Sequence, residues 1–330
     1  MLLKMKIYIL IFFLVPVLFA FPGCDRPVGI DQTDNGIPPG VPTGLSVTYA
    51  SDGLVLLEWN SNAENDLKGY FVYRSEDGYN YGKLDSTSNN YYFDDTLNYD
   101  QTYYYKISSE DIWYRESMPS DSVEASPVNR YNPAPPRSVD INARNWEGIK
   151  SVYLSWSPGN DVDISHYNIY KGIESGFTAD SSSLIGNTTS ENFSDTLNLS
   201  LYKTYYYKIE AVDKGGLRSA ASTEVSDEIY GIPQVIFPAD NSETGYFGSF
   251  VIKTIDTPAD YKIIVQDNEY FGEFWSSAFS SGKTGDTLSV NFNPSYISQN
   301  VPYYWRVATY SNGNSSPNSI SKLYKFIIKP

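Results

Sequence analysis

The chain has 330 residues, 41% of them hydrophobic and 16% aromatic, and it carries 30 Tyr. That length and apolar share point to two or three folded domains and exclude a disordered polymer. A net charge of −15 with its acids scattered repels phosphate backbones and excludes a nucleic-acid binder, and a lone Cys excludes an internal disulfide.

The first element in chain order is an export signal over residues 1–23. Lys4 and Lys6 precede an apolar run from Ile7 to Ala20, which is too short to span a bilayer and is interrupted by Pro16. The run ends in Gly23-Cys24, and Cys24 is the single thiol of the chain. A small residue followed by Cys after such a run resembles a bacterial lipoprotein signal. The resemblance implies a lipid on Cys24 as the mature N-terminus; ordinary cleavage near Ala20 or Gly23 would instead leave a free thiol. Residues 24–38 are polar, rich in Gly and Pro and without strand or helix period, so they read as a flexible spacer.

Two similar units follow, over 39–128 and 133–230. Leu57-Glu58-Trp59 recurs as Leu154-Ser155-Trp156. Tyr70-Phe71-Val72-Tyr73-Arg74 recurs as Tyr167-Asn168-Ile169-Tyr170-Lys171, and Asp95-Thr96-Leu97-Asn98 as Asp195-Thr196-Leu197-Asn198. Thr102-Tyr103-Tyr104-Tyr105-Lys106-Ile107 recurs as Thr204-Tyr205-Tyr206-Tyr207-Lys208-Ile209. Apolar and polar residues alternate within each piece, turn residues separate the pieces, and no segment after the signal holds a helical period. Antiparallel β-sandwiches are therefore predicted, duplicated at about 100 residues.

The Trp after the second strand, the Tyr-x-Val/Ile-Tyr-Arg/Lys of the third and the Thr-Tyr-x-Tyr-x-Ile of the sixth resemble fibronectin type III domains. That resemblance implies that Tyr103 and Tyr205 are tyrosine corners, with hydroxyls bonded to upstream backbone. A third unit, 231–330, resembles them more remotely through Tyr261-Lys262-Ile263 and Tyr303-Tyr304-Trp305-Arg306-Val307. It lacks the early Trp, so an immunoglobulin-like sandwich is the alternative there. The fold class is thus all-β, three tandem sandwiches after a signal peptide. Pro133, Pro135, Pro136 and Pro233 stiffen the connections into a semi-rigid rod.

Catalytic chemistry finds little to use. His166 is the lone His, and it stands where the first unit has Gly69, so it reads as structural. One His without a domain thiol makes no zinc site, and no cofactor is implied. Asn160-Asp161-Val162-Asp163 and Asn65-Asp66 carry hard oxygen ligands but not the spacing of a calcium loop, so they read as turn formers and no metal residue is assigned. Carboxylates are plentiful, yet none sits in a glycosidase motif.

The informative difference between the copies follows the sixth strand. Asp213-Lys214-Gly215-Gly216-Leu217-Arg218 is matched by Asp111-Ile112-Trp113-Tyr114-Arg115-Glu116. Two glycines give way to large rings beside a planar cation, which is contact chemistry on a loop. Trp113, Tyr114 and Arg115 are the candidate binding residues; the bland alternative folds Trp113 back onto its own domain. The expected function is a monomeric, non-enzymatic, membrane-anchored binding and spacer protein of the bacterial cell envelope, with a protein or polysaccharide partner at the cell surface. A structural stalk without a free ligand is the first alternative, and an accessory glycan-active enzyme the second.

Overall fold

The computed structural model describes residues 36–270, 272–311 and 314–330. The signal peptide, Cys24 and most of the spacer lie outside the described residues. Among those described there is no helix.

The first sandwich contains β1 (Ser46–Ser51), β2 (Leu54–Glu58), β3 (Leu67–Ser75), β4 (Gly82–Thr87), β5 (Tyr91–Asp94), β6 (Tyr103–Asp111) and β7 (Val123–Ala125). They form a three-stranded sheet β1-β2-β5 facing a four-stranded sheet β4-β3-β6-β7. Alternation decides which side chains enter the core. Val55 and Leu57 from β2, Tyr70 and Val72 from β3, and Tyr103, Tyr105 and Ile107 from β6 all point inward, with Trp59 and Leu97 closing the ends. Trp59 meets Tyr70 edge to face at 5.3 Å, the arrangement aromatic quadrupoles favour.

The second sandwich repeats the order with β8 (Arg137–Trp146), β9 (Ile149–Ser157), β10 (Ile164–Gly172), β11 (Leu184–Thr188), β12 (Asn192–Asp195), β13 (Thr204–Asp213) and β14 (Val225–Glu228). Its sheets are β12-β9-β8 and β11-β10-β13-β14. Trp156 packs on Tyr167 at 5.2 Å, copying the first core.

Both tyrosine corners are present. The Tyr103 hydroxyl accepts the Asn98 N–H at 3.1 Å, and that of Tyr205 accepts the Ser200 N–H at 2.9 Å. This geometry corrects one sequence match. Asn98 is the counterpart of Ser200, and buried Leu97 that of buried Leu199, whereas Leu197 is exposed. The left-handed residues agree, with Thr96 matching Asn198 and Asp100 matching Tyr202. The shared Asp-Thr-Leu-Asn string is therefore out of structural register, because the second copy spends an extra residue between its fifth strand and the corner. In the first copy it is Asp94, not Asp95, that serves as Asp195 does. Each is a buried carboxylate that takes a core Tyr hydroxyl, Tyr105 at 2.6 Å or Tyr207 at 2.7 Å, and a cation, Arg74 at 2.9 Å or Lys171 at 2.7 Å. A buried carboxylate is tolerable only when paired in this way.

The third sandwich uses β15 (Gln234–Phe237), β16 (Ser242–Thr244), β17 (Ser249–Lys253), β18 (Ala259–Gln266), β19 (Trp275–Ser281), β20 (Thr287–Asn291), β21 (Pro302–Tyr310), β22 (Ser319–Ile320) and β23 (Tyr324–Ile328). Its sheets run β15-β17-β20 and β19-β18-β21, with β22 and β23 also on β21. The fourth long strand, β19, pairs with β18 in the larger sheet, as β4 pairs with β3. The immunoglobulin constant-type order would instead place the fourth strand beside the first, second and fifth, with β15, β17 and β20, so the third unit follows the pattern of the other two. The missing early Trp is replaced from the opposite sheet. Trp305 of β21 is fully buried against Phe250 at 4.5 Å, in a core filled out by Phe247, Phe292 and Phe326. Tyr303 makes a third corner, accepting the Ser298 N–H at 2.9 Å.

Hydrogen bonds, more than prolines, fix the junctions. Between the first and second sandwiches, the Asn129 amide donates to Asp213 at 3.1 Å, the Asn132 amide donates to the Arg218 carbonyl at 2.7 Å, and the Tyr99 hydroxyl reaches Asp163. Between the second and third, the β8–β9 hairpin extends until β8 pairs in parallel with β22, so one nine-stranded sheet crosses the junction. Asn318, with no exposed surface, accepts the Tyr230 N–H at 2.9 Å and donates to the Glu228 carbonyl at 2.7 Å. The Asn145 N–H bonds the Asn318 carbonyl at 2.7 Å, and the Trp146 indole bonds the Pro317 carbonyl at 3.0 Å.

Candidate functional site

The loop after β6 is organised by its first residue. Asp111 is buried at the end of the strand, and its Oδ1 accepts the backbone N–H groups of Trp113 and Arg115, each at 2.9 Å. Its Oδ2 accepts the Arg115 Nε at 2.8 Å. Burial pushes this carboxyl up, but the bonds from Arg115 and Trp113 outweigh it and hold the group below the ordinary carboxylate range. Asp213 builds the same turn in the second sandwich, accepting the Leu217 N–H at 2.8 Å. The two loops are thus one backbone design with different side chains.

Within that design the three predicted residues fare differently. Arg115 turns inward to Asp111 and lies 5.2 Å from the Trp113 ring, so its Nε serves the loop itself. Trp113 is half-buried. Tyr114 is 73% exposed, with the Lys68 ammonium 3.8 Å above its ring. It also holds φ at 65°, where its counterpart Gly216 sits at 90°. A left-handed conformation carries a penalty for any residue with a Cβ, and it persists where surrounding bonds over-determine it, as those to Asp111 do here.

The second glycine has another origin. A Cβ on Gly215 would lie 1.8 Å from the Asn129 amide nitrogen, so the approach of the first sandwich demands glycine there. The Trp113-for-Gly215 exchange therefore reflects a junction present at the second loop, and the contrast that points to contact is Tyr114 against Gly216.

Sequence reasoning did not bring Tyr73, Lys106 and Glu116 together on the outer face of β3 and β6. Tyr73 and Lys106 stand side by side there, paired across the strands. With Tyr81, Glu116 and Pro119 they line a recess of about 270 Å³. Glu116 is held by the Tyr73 hydroxyl and by the Ser108 hydroxyl, the latter at 2.5 Å. Lys106 stands 4.5 Å over the Tyr81 ring. Beside the recess the turn after β3 is pinned by Asp77, whose Oδ1 accepts the N–H groups of Tyr79 and Asn80, each at 2.8 Å. These bonds, that of Asn80 foremost, hold the Asp77 carboxyl far below its ordinary value. The turn presents Tyr79 at 88% exposure. The signal in the sequence was the alternation itself, which puts Tyr73, Tyr104 and Lys106 on the face opposite the core.

The remaining candidates act structurally. His166 is half-buried, with its Nδ1 3.1 Å from the Ser165 hydroxyl. Asp161 accepts the Ala134 N–H at 2.8 Å, and Asp163 serves the first junction. Among the described residues no group of three or more His, Cys, Asp or Glu is arranged to hold a metal ion.

No family model matches the chain. Among curated proteins it is similar to Exoglucanase B of Cellulomonas fimi, at 24% identity over 296 residues, covering 79% of this chain and 26% of the exoglucanase. The chain thus spans about a quarter of that relative's length. Among solved structures it is similar to the FN1–FN3 domains of chicken CNTN1, at 14% identity and a TM-score of 0.35, covering 89% of this chain and 100% of that one. A second is the fibronectin type-III domain of human fibronectin type III domain containing protein 3, at 19% identity and a TM-score of 0.25, covering 28% and 88%.

Proposed function

We propose that this protein is a non-catalytic binding and spacer protein of a bacterial cell envelope, tethered through a lipid on Cys24 and contacting a polysaccharide or protein beyond the membrane. The observation that carries the spacer role is the junction chemistry. Sandwiches joined by buried side-chain bonds and by a sheet continuous across the second junction keep a fixed distance between their ends, whereas a loose chain would not. The binding role is supported by Tyr114, an exposed ring held at strained φ on the loop after β6. The similarity to a segment of an exoglucanase supports a setting among glucans.

Two measurements test this reading. Mass spectrometry of the membrane fraction is expected to find an acylated N-terminus at Cys24; a soluble chain beginning after Ala20 would contradict the tether. Trp113→Ala and Tyr114→Ala are expected to weaken retention on partner material with little change in melting temperature. The stalk reading replaces the binding reading if retention is unchanged in both variants.

A further inference from the structure

The recess on the outer face of the first sandwich has the composition of a ligand site. Its volume of about 270 Å³ holds roughly nine waters at about 30 Å³ each, which is room for one pyranose ring. Tyr73 and Tyr81 supply flat, rigid walls whose apolar faces match the C–H face of a sugar, and Tyr gives such area at low entropic cost. Glu116 spends one oxygen on the Tyr73 and Ser108 hydroxyls. A carboxylate offers about four lone-pair sites, so acceptor capacity remains for ligand hydroxyls. Lys106 adds an ammonium donor across the recess.

The charges name the ligand class. One acid and one base leave the recess without net charge, and the chain as a whole carries −15. Phosphorylated or uronate polymers are therefore disfavoured, and a neutral polyol is matched by donors, acceptors and rings together.

The second sandwich arranges the same groups differently. Tyr170 donates to Glu210 at 2.6 Å, and Arg218, in the loop position of Glu116, lies 3.7 Å from Glu210. Lys208, the counterpart of Lys106, donates to the Phe177 carbonyl at 2.6 Å and pairs with Glu224 at 3.3 Å. There the lysine is tied to a carbonyl and a carboxylate; in the first sandwich Lys106 lies over the Tyr81 ring and borders the recess. Tyr79 extends the platform. Its turn rests on the Tyr104 ring, which a Cβ on Gly78 would approach at 3.5 Å, so the backbone that presents Tyr79 is fixed before any ligand arrives.

We propose that the recess formed by Tyr73, Tyr81, Lys106 and Glu116 is a subsite for one ring of a neutral polysaccharide, with Tyr79 stacking on a neighbouring ring. This deepens the polysaccharide branch of the proposed function and rests on it.

The test is isothermal titration calorimetry of the full chain with cellohexaose, xylohexaose and mannohexaose, comparing wild type with Tyr81→Ala, Glu116→Gln and Tyr79→Ala. All three side chains lie off the core, and matching circular dichroism and melting temperature verify that the variants fold. Wild type is expected to bind at least one hexaose. Tyr81→Ala is expected to weaken that binding about tenfold or more, the loss typical of an aromatic anchor, with Glu116→Gln and Tyr79→Ala each losing severalfold. Binding that survives Tyr81→Ala and Glu116→Gln unchanged overturns the subsite and leaves the polysaccharide reading standing. Failure of wild type to bind any of the three hexaoses overturns both. A proline-rich decapeptide, the other occupant an aromatic-lined groove would take, is titrated in parallel. Its binding in place of the sugars, lost in Tyr81→Ala, overturns the proposal in favour of a peptide site.

Discussion

Asn318→Ala removes a side chain that fastens the third sandwich to the end of the second through two backbone groups at once. The Tyr230 N–H loses its acceptor at 2.9 Å and the Glu228 carbonyl its donor at 2.7 Å. Asn318 has no exposed surface, so neither orphan is readily rehydrated. Each stranded buried group costs about 1–3 kcal/mol, which sets the expected loss at about 2–6 kcal/mol, at the lower end if water enters the vacated space. The loss falls on the junction. Differential scanning calorimetry of the full chain should therefore show the transitions of the second and third sandwiches separating, and small-angle scattering should show a broader distribution of maximum dimension. Asn318→Asp should be at least as damaging, because it keeps the acceptor, loses the donor and sets a buried negative charge against the Glu228 carbonyl. A shift within about 0.5 kcal/mol, the range of an ordinary surface substitution, together with unchanged scattering, would refute the view that this contact locks the junction.

Other consequences follow from the cores and from one buried acid. Trp59→Ala and Trp156→Ala should each cost about 3–5 kcal/mol in a denaturant titration, since each indole fills the end of a core against a Tyr ring. Tyr205→Phe should cost about 1–3 kcal/mol by stranding the Ser200 N–H. Asp227 lies at the second junction, where burial pushes its carboxyl above the usual range and the bonds from the Ala143 and Glu228 N–H groups offset this only in part. A raised folded value means that the native state binds the proton more readily. Its contribution to stability is then full below the ordinary Asp value of about 4 and is lost as pH rises through the folded value. Wild type should therefore lose stability relative to Asp227→Asn as pH rises from about 4 to 7 in urea titrations; a gap moving the other way would contradict the assignment.

The cores were legible because strand alternation is a local code. Val55, Leu57 and Tyr103, Tyr105, Ile107 show their inward period within a few residues, and tandem duplication wrote the pattern twice. The same closeness misled at Asp95-Thr96-Leu97-Asn98, where four identical letters hid a one-residue insertion that only the corner hydrogen bonds reveal. The third core was harder to read because its Trp moved to Trp305, on the opposite sheet. The junctions were not legible at all. Asn145 and Asn318 are short polar residues far apart in sequence, and neither has a pattern that announces a partner. For the candidate site, the loop difference was visible, but its meaning was split. Gly215 answers to Asn129, and Gly216 alone sets the conformation that Tyr114 adopts under strain. The recess escaped notice because Tyr73, Lys106 and Glu116 become neighbours only when β3, β6 and the loop beyond are laid side by side.

What matters most is whether the chain holds a polysaccharide without cutting it. Incubation of the full chain with insoluble glucan, followed by assay of the bound fraction and of released reducing ends, reads both at once. The expected result is retention that depends on the first sandwich, with no reducing ends above a protein-free control. Accumulation of reducing ends with time and protein concentration would contradict the non-catalytic reading directly.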